Sequence, residues 1–457
     1  MANINSTSIA AISTAKGLGG IAVIRISGNK AREIADKVFK GSKKISELPS
    51  YTASYGKVYD SQKNLIDEVV ALNFIAPKSF TGEDVVEISC HGGTYTSQRV
   101  LDAVIQAGAS HAMQGEFTKR AFLNGKIDLS QAEAISELIS ATSQRTHEAA
   151  MSVKEGKLSK NIDKILEKLV DIGGDLSAWA DYPDDDVPQV DETKLICQLS
   201  EINENLDKMI RDFDSGKIYR DGINTVIAGR PNAGKSTLMN MLSGCERSIV
   251  TEIAGTTRDV VEERVMLGDI PLILADTAGI RSTDDPVEKI GVKLAKDRLG
   301  SAELVLAVFD SSQELQKDDL ELIELCQNRP TIAIINKNDL CPKIDNDYIS
   351  KNIEHRLFIS AKSGIGLDEL KELLEKMLGL GKVQTGSAEL CTDRQKEAVT
   401  RAKTATEQAH NDLENGLTLD AVTVLVEESI SALLELKGEK VSEALVNNVF
   451  SRFCVGK

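Results

Sequence analysis

The hydrophobic positions of this chain change their period three times. Up to about residue 120, short runs rich in Val and Ile alternate with turns. "IAVIRISG" (21–28) and "EVVALNFIAP" (68–77), closed by Gly or Pro, predict strands, and residues 31–39 and 98–107 predict helices between them. From Asp128 the period lengthens. Ser130 followed by Glu133 reads as a capping box before "AISELISA". Leu158, Ile162, Ile165, Leu169 and Ile172 then recur at steps of four and three, the spacing of one helix face, and after the acidic break "DYPDDDVPQ" so do Leu195, Leu199, Ile202, Leu206 and Met209. Strand–helix alternation returns at "INTVIAGRP" (223–231) and lasts to about Leu378. Helical spacing resumes at Thr392, with Leu419, Val422, Leu425 and Val426 on one face.

Each helical stretch offers an apolar stripe that needs a partner, and the two flank an α/β block. The pattern therefore predicts a multidomain chain: an N-terminal α/β domain (1–120), a discontinuous α-helical domain (121–216 and 381–457), and an inserted α/β domain (217–380). There is no internal repeat and no low-complexity tract.

Composition narrows the function classes. The apolar fraction is 41% and the charged fraction 27%, ordinary for a globular protein. No apolar run approaches the ~18 residues of a membrane span, and "MANINSTSIAAISTAKG" lacks the basic region and apolar core of a signal peptide. The seven cysteines include no C-x-x-C pair, so neither a zinc knuckle nor a disulfide framework is expected, and a reducing cytoplasm is. A net charge of −16 argues against a nonspecific nucleic-acid coat; any RNA contact would need a local basic patch or a partner's. The end "FSRFCVGK" puts a cysteine at the C-a-a-X position, but Gly456 is not aliphatic and Lys457 suits neither prenyl transfer, so no lipid anchor is expected.

Four elements in order carry nucleotide chemistry. "GRPNAGKS" (229–236) follows an apolar strand and precedes the helix "TLMNML", so it reads as a P-loop. In it, Asn232, Ala233 and Gly234 offer backbone to phosphate, Lys235 neutralises β/γ oxygens, Ser236 ligates Mg²⁺ and Thr237 opens the helix. "DTAG" (Asp276, Thr277, Ala278, Gly279) closes a strand and supplies a metal-side acid and a γ-phosphate glycine. "NKND" (Asn336, Lys337, Asn338, Asp339) ends in a carboxylate able to take both N–H donors of guanine. "SAK" (Ser360, Ala361, Lys362) suits the second base-contacting loop. Together they predict a guanine-nucleotide site in a Ras-like G domain. The loop Thr251, Glu252, Ile253, Ala254, Gly255, Thr256, Thr257 stands where a switch segment belongs, and one of its threonines would complete the Mg²⁺ shell. Arg258 beside it is a candidate internal arginine finger. Ile280 follows "DTAG" and has no polar group to orient water. Glu288, in "PVEKIG", is the candidate for that role, the alternative being a solvated glutamate on a helix surface. "GLGGIA" lacks the G-x-G-x-x-G spacing and precedes a strand, so it is not a dinucleotide fingerprint.

With "GTTRD", "DTAGIR", "VEKIG", the terminal "CVGK", and upstream "GGIAVIRISG" and "TGEDVVEISCHGG", the chain resembles the MnmE (TrmE) family of tRNA-modification GTPases over essentially its whole length. The resemblance implies an N-terminal domain that binds tetrahydrofolate and dimerises. It implies Mg²⁺ on Ser236 and Thr257, and K⁺ on Asn232, Thr251, Ile253 and Thr256, where the ion would stand in for an arginine finger. It implies water positioning by Glu288 and folate contacts from Arg25, Glu87, Lys126 and Lys457, the glutamate suiting pterin N–H donors and the basic groups suiting folate carboxylates. The implied reaction adds a carboxymethylaminomethyl or aminomethyl group to C5 of wobble uridine. Its carbon comes from 5,10-methylene-tetrahydrofolate (the 5-formyl form being the other derivative expected to bind), with glycine or ammonium as the nitrogen source. The implied assembly is a homodimer joined with the flavoprotein MnmG in a heterotetramer, with FAD and NADH on the partner and tRNA as substrate. Cys454 is implied as catalytic, either as a nucleophile on C6 or as part of the site's shape. Pro286, which fixes a local φ near Glu288, and Val455, where isoleucine is usual, depart from the family pattern. The competing class is a regulatory, RNA-binding GTPase of ribosome assembly, which would need neither folate nor Cys454.

Overall fold

The computed structural model describes residues 7–15, 17–181, 190–244, 263–274, 302–327, 329–378 and 390–456. The chain forms two compact units. One comprises Met1–Ser136, Val153–Asp207 and Cys391–Lys457, the other Glu137–Ser152 and Lys208–Leu390, so the first unit is discontinuous in sequence.

In the first unit, β1 (Ile9–Ile12), β2 (Ile21–Ser27), α1 (Ala31–Val38), β3 (Phe39–Gly41), β4 (Thr52–Tyr59), β5 (Leu65–Phe74), β6 (Val85–His91), α2 (Thr94–Gln106) and β7 (Ser110–His111) are followed by α3 (Glu116–Leu123). The seven strands lie in the order β3-β4-β5-β6-β2-β1-β7. The strand period of two decides the rest. Ala22, Ile24 and Ile26 of β2 and Val86, Ile88 and Cys90 of β6 are buried in one core with Ile34, Ala35 and Val38 of α1 and Val100, Leu101 and Val104 of α2. The intervening residues Arg25 and Glu87 face the other side and stand directly opposite each other in the β2–β6 register. The stretches expected to be strands and helices here are so, with ends shifted by a few residues.

The helical part of this unit begins with α4 (Leu129–Ser140), whose far end, like the start of the following α5 (Gln144–Lys154), belongs to the second unit. Its cap differs from the expected Ser130/Glu133 box. Asp128 Oδ1 accepts from Gln131 N at 2.8 Å, and Gln131 Oε1 accepts from Asp128 N at 3.0 Å, a reciprocal box two residues earlier. Ser130 is inside the helix and donates its hydroxyl to Asp128 at 2.6 Å. An aspartate one residue before the first turn is a favoured cap acceptor, and it wins the cap from the hydroxyl.

Glu133 thereby points elsewhere, into the helical core. Helices α6 (Lys157–Asp181) and α7 (Glu192–Asp221) carry the two predicted apolar stripes, and every residue of both stripes is buried. Helix α6, and α7 as far as Asp207, precede the long segment Lys208–Leu390 of the second unit, whereas α12 (Asp393–Glu414), α13 (Leu419–Lys437) and α14 (Glu443–Ser451) follow it. The two halves dock. Lys437 binds Asp163 at 2.7 Å and Lys403 binds Asp207 at 2.7 Å. Deepest in this seam, Glu133 accepts Arg394 Nε at 2.5 Å, Arg394 Nη2 at 2.8 Å and Gln395 Nε2 at 2.8 Å. Arg394 also donates to the carbonyls of Glu435 (3.3 Å) and Leu436 (3.0 Å) in the last turn of α13. Among the described residues no helix is long and apolar enough to cross a membrane.

The second unit centres on β8 (Ile223–Gly229), α8 (Lys235–Gly244), β9 (Glu263–Leu267), β10 (Ile270–Leu274), β11 (Leu304–Asp310), α9 (Lys317–Cys326), β12 (Thr331–Asn336), α10 (Asn346–Asn352), β13 (His355–Phe358) and α11 (Leu367–Met377). Its six strands run β13-β12-β11-β8-β10-β9, parallel except for β9. β11 and β12 are buried along their whole length, which explains why "LVLAVF" and "TIAII" read as unbroken apolar runs. In a parallel sheet the C-terminal strand ends share one edge, and ligand-binding loops gather there. The fold is thus an α/β P-loop unit inserted into a helical one that also carries an N-terminal α/β domain.

Because Glu133 is almost wholly buried, removing its guanidinium partner leaves an uncompensated charge. Arg394→Ala should lower stability by about 3–5 kcal/mol. Urea unfolding followed by circular dichroism measures this, and a loss below about 1 kcal/mol would return the pair to the class of surface bridges.

Candidate functional site

The loops at the C-terminal edge of the parallel sheet, where the nucleotide motifs fall, come together. The P-loop leaves β8 and enters α8 at Lys235, so the first N–H groups of that helix open toward the loop. Lys235 Nζ donates to the carbonyls of Gly229 (2.9 Å) and Arg230 (2.8 Å). Gly234 is at φ +100, and a Cβ there would stand 2.1 Å from Asn336 Nδ2, so no other residue fits. Asn336 itself is buried. Its amide donates to Ala233 O at 3.0 Å and its carbonyl accepts from Ala361 N at 3.0 Å. One side chain thus joins the P-loop, the "NKND" loop and the "SAK" loop, three segments far apart in sequence. Lys337 Nζ adds a second tie to the P-loop, 2.9 Å from Asn232 O.

Asp339 is exposed at the mouth of this arrangement. The Ser360 hydroxyl donates to its Oδ1 at 2.7 Å and holds the carboxyl below its ordinary range. An acceptor-only carboxylate, oriented by a hydroxyl behind it, matches two adjacent N–H donors of a guanine edge. Ser236 and Thr237 lie in the first turn of α8, while Asn338 N donates to Ile359 O at 3.1 Å and Lys362 is exposed near Asp339.

A second group of expected residues gathers in the first unit. Arg25 Nε donates to Glu87 Oε1 at 2.8 Å, and the guanidinium lies 5.6 Å from the ring centroids of both Phe80 and Phe117. Lys126 donates to Pro77 O at 3.1 Å. Arg25 and Lys126 therefore both touch the 75–84 loop between β5 and β6. Of the residues expected to contact a pterin and its carboxylates, Arg25 and Glu87 pair with each other beside two aromatic rings, and Lys126 is exposed.

The C-terminal tail reaches the same sheet. Phe450 and Phe453 pack with Leu129, Ala132, Val446 and Val449, and the Phe450 ring lies tilted against Phe122 with centroids 6.2 Å apart. Val455 then forms a β-bridge with Gln114. Gly456 is at φ +96, and a Cβ there would meet Ile12 O at 2.3 Å. Only glycine lets the backbone approach β1 that closely. Ala11, the neighbour of Ile12, is the register partner of Arg25. Cys454 is a free, exposed thiol on this docked tail.

Lys457, the loop Thr251, Glu252, Ile253, Ala254, Gly255, Thr256, Thr257, the residues Asp276, Thr277, Ala278 and Gly279, and Arg258, Ile280, Pro286 and Glu288 all lie outside the described residues.

Several supporting residues escaped the sequence reading. Asp310, at the end of β11, accepts Lys337 Nζ at 2.6 Å and the Ser312 hydroxyl at 2.6 Å. Burial alone would raise this carboxyl; the Lys337 and Ser312 donors outweigh it and hold it below its ordinary range. Arg230, inside the P-loop motif, stands with Nε 2.7 Å from Asp319 Oδ2, a close ion pair without hydrogen-bond alignment. Beneath Arg25, buried Arg120 donates to Glu83 (3.1 Å), Glu116 (2.9 Å) and Thr7 O (2.8 Å), while Ser27 donates to Glu83 at 2.7 Å. The one signal for Asp310 was an acid ending an otherwise all-apolar run.

Known proteins bear on both sites. The family described as the MnmE helical domain matches residues 129–454, and the family described as the GTP-binding protein TrmE N-terminus matches residues 8–126. A tRNA modification GTPase MnmE of Clostridioides difficile (strain 630) is 42% identical over 454 residues, covering 98% of this chain and 99% of that protein. That of Alkaliphilus oremlandii (strain OhILAs) is 42% identical over 455 residues, with the same coverage. That of Acetivibrio thermocellus is 40% identical over 453 residues, again at 98% and 99%. With both family models matched and relatives 40–42% identical from end to end, this chain belongs to the MnmE family of tRNA modification GTPases.

Proposed function

We propose that this chain hydrolyses GTP to drive modification of the wobble uridine of tRNA, with residues 217–380 as the G domain and 1–120 as a folate-binding, dimerising domain. Residues 121–216 and 381–457 form the helical domain. The observation that carries the nucleotide part is Asn336, whose two amide ends tie the P-loop to both base-contacting loops. Such a three-way tie preforms a site for a nucleotide with phosphates at one end and a base at the other.

The chain's own groups divide the work. The N–H groups at the start of α8 and Lys235 bind phosphate, and Asp339, ionised and oriented by Ser360, selects guanine. Ser236, in the first turn of α8, would hold Mg²⁺ together with Thr257, and the ion would supply neutralising charge to the phosphates. Asn232 of the P-loop, with Thr251, Ile253 and Thr256, would hold K⁺. Glu288 orients the attacking water, a task Ile280 has no group to perform.

Arg25, Glu87 and Lys126 fit a tetrahydrofolate derivative through their chemistry: a carboxylate for pterin donors, two cations, and the rings of Phe80 and Phe117 as an apolar wall. Lys457 would join them from the tail, and Cys454 would stand close to the one-carbon unit or the uridine. The product is a C5 carboxymethylaminomethyl or aminomethyl group, made in the cytoplasm by a homodimer together with the flavoprotein MnmG.

Three outcomes test this reading. Asp339→Asn should weaken GTP binding at least tenfold and favour xanthosine nucleotides, by loss of the paired acceptor; unchanged GTP affinity in calorimetric titration would remove Asp339 from base recognition. Hydrolysis should run much faster in K⁺ than in Na⁺ at equal ionic strength, and equal phosphate release in the two salts would sink the K⁺ assignment. In a deletion strain, the wild-type gene should restore modified wobble uridine by nucleoside mass spectrometry. Cys454→Ser should not restore it, and Gly456→Ala, which strains the tail against Ile12, should restore it only partly, both retaining GTP hydrolysis. Full modification by Cys454→Ser would leave the thiol no chemical role.

A further inference from the structure

We infer that Asp310 is a positioning residue of the guanine-nucleotide site, fixing the Lys337 ammonium against the P-loop. This rests on the nucleotide reading above and goes beyond the residues that touch the nucleotide.

Asp310 closes β11 and is 3% exposed. A buried carboxylate is unfavourable unless its lone pairs are filled, and here they are. Oδ1 takes Ser312 N (2.9 Å) and the Ser312 hydroxyl, and Oδ2 takes Lys337 Nζ (2.6 Å) and Gln313 Nε2 (3.3 Å). Of these donors only Lys337 carries charge. Its ammonium bridges Asp310 and Asn232 O, so the carboxylate sets the direction of the lysine's second bond.

The backbone at both ends of that second bond is in the left-handed region. Lys337 has φ +63 and Asn232 has φ +61. Non-glycine residues there cost about 1 kcal/mol or more each and persist where surrounding contacts over-determine them. At Lys337 those contacts trace to the end of β11: Ser311 Oγ donates to Lys337 O (2.9 Å) and Ser311 N to Asn336 O (2.9 Å). The same 310–319 segment holds the P-loop from the other side, through the Arg230–Asp319 pair and Arg230 Nη2 on Gln313 Oε1 at 3.3 Å. One segment thus supports the phosphate loop and the base-reading loop together, and the Asp310–Lys337 bond is its charged link to the latter.

A purely structural carboxylate and a positioning one differ in a double-mutant cycle. Affinity for a fluorescent GDP analogue is measured for wild type, Asp310→Asn, Lys337→Met and the double variant. Loss of one charge-assisted bond predicts a drop of about 10-fold to 100-fold for Asp310→Asn. The drop should appear in the KM for GTP more than in kcat, and the substitution should change affinity less than about threefold in the Lys337→Met background. Wild-type affinity in Asp310→Asn, an equal loss in both backgrounds, or a chain that fails to fold would each overturn the assignment and return Asp310 to the core. In all three cases wild-type binding still upholds the nucleotide site, whereas a wild-type chain that binds no GDP would overturn both.

Discussion

Everything in the first unit hangs on how the chain closes around an inserted domain, and the most buried of the ion pairs that make that closure is Arg394 on Glu133. Arg394 lies a few residues past the point where the chain re-enters the unit at Cys391, and Glu133 lies just before the point where it leaves after Ser136. Their ion pair ties the first departure to the last return, and Lys403 on Asp207 ties the second departure to that same return. By donating to the last carbonyls of α13 as well, Arg394 fixes the end of the helix from which α14 and the tail continue. A buried ion pair is weak evidence for net stability, since well-packed apolar residues often replace one without loss. Its value here is geometric. A fork with five donors can satisfy a carboxylate and two carbonyls at once, which an aliphatic side chain cannot. The position of Cys454 is therefore settled by contacts that begin at Glu133, run through α13 and α14, and end with Gly456 against Ile12.

The nucleotide unit follows a similar logic with amides in place of charge. Its loops are anchored through Asn336, Lys337 and Ser360, each bonded to a neighbouring loop as well as to its own backbone surroundings. Because the sheet is parallel, all these loops emerge from one edge, and a few side-chain bonds suffice to hold them in register. Left-handed residues in two of the loops are the strain that this register imposes, and Asp310 is the buried charge that the register requires in return.

The two sites also differ in how their charges are kept. In the nucleotide unit, Asp339 is exposed and held ionised by a hydroxyl, ready for a ligand. In the first unit, Arg25 and Glu87 neutralise each other across adjacent strands, over a deeper buried cluster around Arg120. A ligand entering there must exchange an existing ion pair for its own contacts, so affinity depends on differences between charged hydrogen bonds rather than on their sum.

The sequence by itself determined the elements and their order. Periods of two and of 3.6 residues come from backbone geometry alone, so strands, helices and the apolar stripes of α6 and α7 were legible without any tertiary information. So were the motifs expected to meet phosphate and base, because such chemistry requires particular residues at contiguous positions. The tertiary structure decided what depends on pairs distant in the chain. It moved the cap of α4 from Ser130 to Asp128 and gave Glu133 to Arg394, 261 residues away. It brought Asp310 to Lys337 and Arg230 to Asp319, and set the glycine of the tail against β1. No local period encodes such partners: each is chosen by which buried polar group would otherwise go unsatisfied once the core has closed.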